Sequence, residues 1–221
     1  MERMILEMEH VNGTGGRFRL QDIGFALPAG YMMGLVGGNG AGKTTCLHYV
    51  MQENKRYTGV IRIDGKERGE HGALYRNKVG FVSEERHFFE ERTGWQNVNL
   101  LSGFYDHFDR KLFERAMERM EVSAGKTYGT MSRGERMKFQ MAFAMAHRPL
   151  LYLLDEVTAG MDPVFRIDFF RLLHEVIESG ECAVLMTSHI ESEMKKQMDY
   201  IGILENGRMT YFGENEEGLW E

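Results

Sequence analysis

Cysteine is scarce in this chain, with two in 221 residues, and Cys46 and Cys182 stand far apart in apolar settings. That spacing argues against a disulfide framework and fits a reducing compartment, with both thiols buried and structural. No stretch approaches the ~20 apolar residues needed to span a bilayer. The opening MERMILEMEH is too charged for the apolar core of a signal peptide, so a soluble or peripheral protein is expected. A basic excess is also missing. The formal net charge is −6, which argues against a nucleic-acid partner because no strongly basic face is implied. No internal repeat, low-complexity tract or linker divides the chain. With 43% hydrophobic residues, this length buries one sizeable core, and one compact unit is expected. The 17 methionines read as adaptable core fillers.

Turn and periodicity signals order the elements. Two strands are expected around Arg3 to Glu9 and Phe18 to Leu27, joined by the glycine-bearing NGTGGR. A strand from Tyr31 to Val36 runs into GGNGAGKTT, and a helix follows from Lys43 to about Gln52. GVIRIDGKE alternates like a strand with an Asp-Gly turn. From Glu84 to His147 the character is helical, and DRKLFERAMERMEV places Leu112, Phe113, Ala116, Met117 and Met120 at helix spacing. After Pro149 strands and helices alternate: LLYLLD, a helix over Pro163 to Glu178, CAVLMTS, a helix over Ile190 to Met198, and the hairpin IGILENGRMTYFG. Its Asn206-Gly207 pair is a strong hairpin signal. Apolar strands between helices indicate a mostly parallel sheet covered on both faces.

Chemistry concentrates in a few of these segments. Gly37, Gly42, Lys43 and Thr44 match G-x-x-x-x-G-K-[ST] in full, after a strand and at the start of a helix. In such a loop backbone N–H groups curl around phosphate oxygens, the helix N-terminus adds partial positive charge, Lys43 bridges the outer phosphates, and the Thr44 hydroxyl can bind Mg²⁺. The loop alone leaves kinases, GTPases and ATPases open. LLYLLDEVTAGMD then ends an apolar strand in Asp155 and Glu156. The first carboxylate can complete a Mg²⁺ shell beside the loop, and the second can polarise an attacking water. In TMSRGERMKFQMAFAMAH, Ser132 and Glu135 form an S-x-x-E capping box ahead of an apolar helix. His189 closes the strand VLMTSHI, where an isolated histidine is most often a structural hydrogen bonder.

Taken in order, these segments resemble the nucleotide-binding subunit of an ATP-binding cassette (ABC) transporter over nearly the whole chain. The resemblance implies an α/β fold: a P-loop NTPase core with a mostly parallel sheet, an N-terminal antiparallel β subdomain and an inserted α-helical subdomain. Residues 1–84 and 148–221 would form the core with the β subdomain, and residues 85–147 the helical one. GGNGAGKTT looks like the Walker A loop, with Gly37, Asn39, Gly40, Ala41, Gly42, Lys43, Thr44 and Thr45 as ATP contacts. LLYLLDE looks like Walker B, with Asp155 at the nucleotide and Glu156 as catalytic base. AGMD resembles the D-loop ending at Asp162, and His189 matches the switch histidine that contacts the γ-phosphate. MSRGE sits at the LSGGQ signature, from which Ser132 and Gly134 carry over as phosphate contacts. Mg²⁺ would be held by Thr44, Asp155 and Glu84.

The family pattern is broken at several positions. Glu84 stands where the Q-loop has Gln and brings negative charge beside the phosphates. Arg133 and Glu135 replace a Gly and the Gln of the signature, and Val157 replaces Pro. The position of the adenine-stacking aromatic falls near Thr14, so Phe18 is the substitute. The resemblance implies Mg-ATP hydrolysis in a head-to-tail dimer of two ATP-binding subunits, identical or paralogous. It also implies a transmembrane permease on a separate chain, bound near Glu85 to Val98. LQDIGFALPAGYMMGLVG looks most like cassettes of bacterial export of peptides or antimicrobials, cytoplasmic and peripheral on the inner membrane face. Two other readings are a soluble ABC ATPase of the iron–sulfur assembly type and a low-turnover nucleotide-binding regulatory module. Retention of both Asp155 and Glu156 argues against the second.

Overall fold

The computed structural model describes residues 2–13, 19–51, 57–67, 72, 77–84, 88–159, 161–216 and 219. Ten strands and six α-helices are described within them. A small antiparallel sheet is built from β1 (Met4–Gly13), β2 (Ile23–Pro28), β4 (Tyr57–Ile63) and β5 (Lys66–Glu67), in the order β2-β1-β4-β5. The larger sheet has the order β10-β9-β3-β8-β7-β6. Its strands are β3 (Met32–Val36), β6 (Val79–Val82), β7 (Leu151–Asp155), β8 (Ala183–Thr187), β9 (Tyr200–Glu205) and β10 (Arg208–Glu214). All neighbours in it run parallel except the terminal β9–β10 hairpin.

Strands β3, β7 and β8 are buried along their whole length, as continuous apolar strands covered on both faces must be. Alternation sends their side chains to two cores. Met33, Leu35, Leu153 and Leu185 face the antiparallel sheet, with Cys46, Leu47 and Tyr49 of α1 (Lys43–Met51) packed between. Met32, Leu154, Val184 and Met186 face the other way, toward the helices. Those are α2 (Gly94–Leu101), α3 (Arg110–Arg119) and α4 (Arg133–His147), inserted between β6 and β7, followed by α5 (Pro163–Ile177) and α6 (Glu191–Gln197). Phe113, Ala116, Met117 and Met120 are buried as their spacing predicts, while Leu112 stays half-buried.

Several boundaries differ from the sequence expectations. β1 runs on through Gly13 because a bulge between Glu9 and Asn12 lets it keep pairing with β4. β2 starts at Ile23, later than the reading from Phe18. Phe18 itself, Thr14 and most of the NGTGGR turn lie outside the described residues. The four-residue β6 carries no strand signal of its own in the sequence. It completes the sheet by pairing Val79 to Val82 with Leu151 to Leu154.

Candidate nucleotide site

β3, β7 and β8 all end at one edge of the parallel sheet, and the candidate residues follow them directly. The glycine loop leaves β3 and enters α1 at Lys43. Gly37 has no room for a side chain, since a Cβ there would lie 2.3 Å from Leu204 O. Gly40 sits at φ 78, a left-handed conformation that glycine adopts without strain. The loop rests on the β9–β10 turn through Gly207 N donating to Ala41 O at 3.0 Å. Lys43, only 5% exposed, folds back over the loop and donates to Gly37 O at 2.8 Å and Gly38 O at 3.3 Å.

Asp155 is fixed through both oxygens. Thr44 Oγ1 donates to Oδ2 at 2.8 Å, and Thr187 Oγ1 donates to Oδ1 at 2.5 Å. The same Thr187 hydroxyl accepts from Glu156 N at 3.0 Å. Glu156 holds φ 49, a strained conformation for a non-glycine residue of the kind that collects at functional sites. Its carboxylate lies between two cationic or potentially cationic groups. Lys43 Nζ is 3.7 Å from Oε1, and His189 Nδ1 is 3.6 Å from Oε2. Asn39, Gly40, Gly42, Lys43, Thr44, Thr45 and Glu156 line an open concavity of 330 Å³. A larger hollow of 480 Å³, lined by Lys66, Lys78, His107 and Arg148 among others, lies elsewhere and contains none of these residues.

The sequence candidates thus divide into three groups. The glycine loop, Lys43, Thr44, Thr45, Asp155, Glu156 and His189 converge. Ser132, Gly134 and Asp162 do not line the concavity. Ser132 caps α4, accepting from Glu135 N at 3.2 Å while its own N–H donates to Glu135 Oε2 at 2.7 Å. Asp162 caps α5 by accepting from Val164 N and Phe165 N. Glu84, expected beside Thr44 and Asp155, instead directs its carboxylate to the Arg133 guanidinium on α4, because an opposite charge lies within reach there. Phe18 lies outside the described residues.

Two sets of residues escaped the sequence reading. Thr187 is fully buried, and its only signal was a hydroxyl in an apolar strand two residues before His189. Glu193, also buried, accepts from Thr158 Oγ1 at 2.7 Å and pairs with Arg166 at 2.8 Å. It ties the turn after Glu156 to α5 and to the helix after His189.

The arrangement suits a phosphate chain with a hydrated divalent cation. The loop offers backbone N–H groups and a buried ammonium, and Thr44 and Asp155 offer two oxygen ligands already in contact. Sequence comparison points the same way, because the ABC transporter family model matches residues 20–159. The chain belongs to the ABC transporter ATP-binding family. Among the relatives of this ABC chain, ABC transporter ATP-binding protein YtrB of Bacillus subtilis (strain 168) is 31% identical over 191 residues, covering 86% of this chain and 65% of that protein. Bacitracin transport ATP-binding protein BcrA of Enterococcus faecalis is 27% identical over 209 residues, covering 93% and 68%. The ABC chain therefore spans about two thirds of the length of these curated relatives. A solved ATP-binding subunit of an ABC transporter superposes with a TM-score of 0.85 at 25% identity, covering 95% of this chain and 90% of that one. The ABC ATPase fold is thus shared over nearly all of the chain. Among the described residues, no helix is long and apolar enough to cross a membrane.

Proposed function

We propose that this chain is the ATP-binding subunit of an ABC transporter, hydrolysing Mg-ATP in a head-to-tail dimer to drive a separate membrane permease. The observation that carries this reading is the convergence of Lys43, Thr44, Asp155, Glu156 and His189 at one sheet edge. The loop and Lys43 bind the phosphates. Thr44 and Asp155 would hold Mg²⁺, which would neutralise phosphate charge. Glu156 accepts the proton of the attacking water, and His189 donates a hydrogen bond to the γ-phosphate from the other side of that carboxylate. Catalysis on this scheme is positioning and charge stabilisation.

Dimerisation enters because Ser132, Gly134 and Asp162 stand outside the loop concavity of their own chain. They reach nucleotide when a second ATP-binding subunit, identical or paralogous, presents its loop to them. The permease docks on the helical lobe, residues 85–147, inserted in a core of residues 1–84 and 148–221. A groove there is lined by Phe88, Leu101, Phe104, Tyr105 and Phe143, and Phe104 is 78% exposed. Of the expected docking stretch Glu85 to Val98, residues 85–87 lie outside the described residues. The permease holds the protein at the inner face of the membrane. The similarity to a bacitracin transport protein favours a peptide, antimicrobial or other small compound as cargo, and export is the direction we infer.

The test is Mg²⁺-dependent ATP hydrolysis across a range of protein concentrations, beside Glu156→Gln. Specific activity rises with concentration, and the variant loses turnover while accumulating an ATP-stabilised dimer. A wild-type chain that binds ATP yet neither hydrolyses it nor dimerises overturns the homodimeric form of this reading.

A further inference from the structure

Two of the three charged departures from the family pattern, Glu84 and Arg133, meet each other: the Arg133 guanidinium forms an ion pair with the Glu84 carboxylate. Register shows why this matters. β6 and β7 run parallel with Val82 opposite Leu154, so two residues past that pair the chain reaches Glu84 beyond the end of β6 and Glu156 just beyond the end of β7. Neighbouring strands lie about 4.8 Å apart. Glu84, Asp155 and Glu156 are thus delivered to the same sheet edge, where the glycine loop is built to receive several negative charges. A third carboxylate at that edge opposes the approach of a triphosphate.

The position of Glu84 is not left to chance. Ser83, which precedes it, is clamped by a buried amide: Ser83 N donates to Gln140 Oε1 at 2.9 Å, and Gln140 Nε2 donates to Ser83 O at 2.9 Å. Gln140 lies on α4, two turns after Arg133. One helix therefore both fixes the backbone beside Glu84 and supplies its counter-charge.

We propose that Arg133 is a positioning residue for nucleotide binding, holding and neutralising Glu84 so that the pair presents the net-neutral surface that a glutamine would. The proposal rests on the nucleotide-binding reading above and concerns the chain's own loop, with no second subunit required. Both side chains are about half exposed, 47% for Arg133 and 52% for Glu84, so the effect is moderate and screened by salt.

The test is equilibrium binding of Mg-ATP and Mg-ADP to the full chain and to Arg133→Ala, Glu84→Gln and the double variant. Arg133→Ala weakens Mg-ATP binding by roughly tenfold at low salt and Mg-ADP by about threefold, because the extra phosphate charge feels the bare carboxylate more strongly. Adding Glu84→Gln to Arg133→Ala restores wild-type affinity, and Arg133→Lys retains most of it. A surface pair of purely structural value leaves the ATP/ADP ratio unchanged. Equal affinities for wild type and Arg133→Ala, or failure of Glu84→Gln to rescue, overturn the proposal. If the wild-type chain binds neither nucleotide, the nucleotide-binding reading falls and this proposal with it.

Discussion

Thr44 and Asp155, 111 residues apart in sequence, are joined by a 2.8 Å hydrogen bond. The bond connects the first turn of α1 to the end of β7. With Thr187 on the other oxygen at 2.5 Å, both oxygens of the Asp155 carboxylate are held by hydroxyls of the chain itself. Fixed ligands of this kind reduce the reorganisation that binding would otherwise require.

Thr187→Val tests that preorganisation. Valine keeps the β-branched shape in a buried strand but removes the donor to Asp155 and one of two acceptors of the Glu156 N–H, leaving the Thr187 carbonyl at 3.2 Å. Stability falls by about 1–3 kcal/mol, the cost of taking the Thr187 donor from the buried Asp155 Oδ1. In steady-state assays kcat falls more than ATP affinity, because Glu156 loses a bond that holds its left-handed backbone. Thr187→Ser keeps the hydroxyl and stays close to wild type in both measurements. A Val variant with unchanged kcat sinks the positioning role.

Gln140 is the buried link between the end of β6 and the helices. It is 2% exposed, it grips both backbone groups of Ser83, and it donates to the Tyr128 hydroxyl at 3.0 Å. Gln140→Leu removes these three hydrogen bonds from a buried site. We expect a loss of about 3 kcal/mol in urea unfolding, and a Tm lower by roughly 10 °C for a chain of this size. A change below about 1 kcal/mol shows that other partners replace the amide.

The glycine loop and the acids after β7 were legible because each is a contiguous run whose local conformation is set by its own residues. Asn206-Gly207 was legible for the same reason, since both take positive φ, 51 and 82, as a tight hairpin turn demands. β6 was not legible: four residues are too few to show a period, and their strand character comes from pairing with β7. The Glu84–Arg133 pair was hidden in another way. Each residue stands out singly as a departure, but no periodicity relates a strand end to a helix start across an intervening helical insertion. Glu193 illustrates the same limit, because its partners Thr158 and Arg166 sit on two other elements.

The Glu135 carboxylate serves a local purpose at the start of α4. The Lys126 ammonium, then the Ser132 backbone N–H, hold it below the usual carboxylate range. A lowered folded value means the contribution is present above the ordinary pKa of 4.5 and is lost as pH falls through the lower one. Glu135→Ala removes the reciprocal half of the capping box and costs about 1 kcal/mol at pH 7. Glu135→Gln keeps the acceptor for Ser132 N and loses only the Lys126 charge pairing, so it costs less. The difference between the Ala variant and wild type in chemical denaturation should shrink at acid pH. A constant difference from pH 7 to pH 3 rules out the carboxylate as its source.

His147 makes the fold sensitive to a milder acid. It ends α4, stacks on Tyr105 with ring centroids 4.2 Å apart, and is only 6% exposed. Burial pushes its pKa down from 6.5 to about 4, against the smaller raising effect of the nearby backbone of Asn77 and of His147 itself. The imidazole is therefore neutral in the folded chain where the unfolded chain would take a proton. Between pH 6.5 and pH 4 the unfolded state binds more protons, so stability falls as pH is lowered across that window, by up to about 3 kcal/mol from this residue. Below about pH 4 both states are protonated and the contribution is exhausted. His147→Phe keeps a ring against Tyr105 and Phe143 and cannot titrate. Unfolding free energies measured at half-unit steps should show a shallower acid slope in the variant than in wild type, with the two curves parallel above pH 7. Parallel curves throughout would mean that His147 takes up its proton in the folded chain as readily as in the unfolded one.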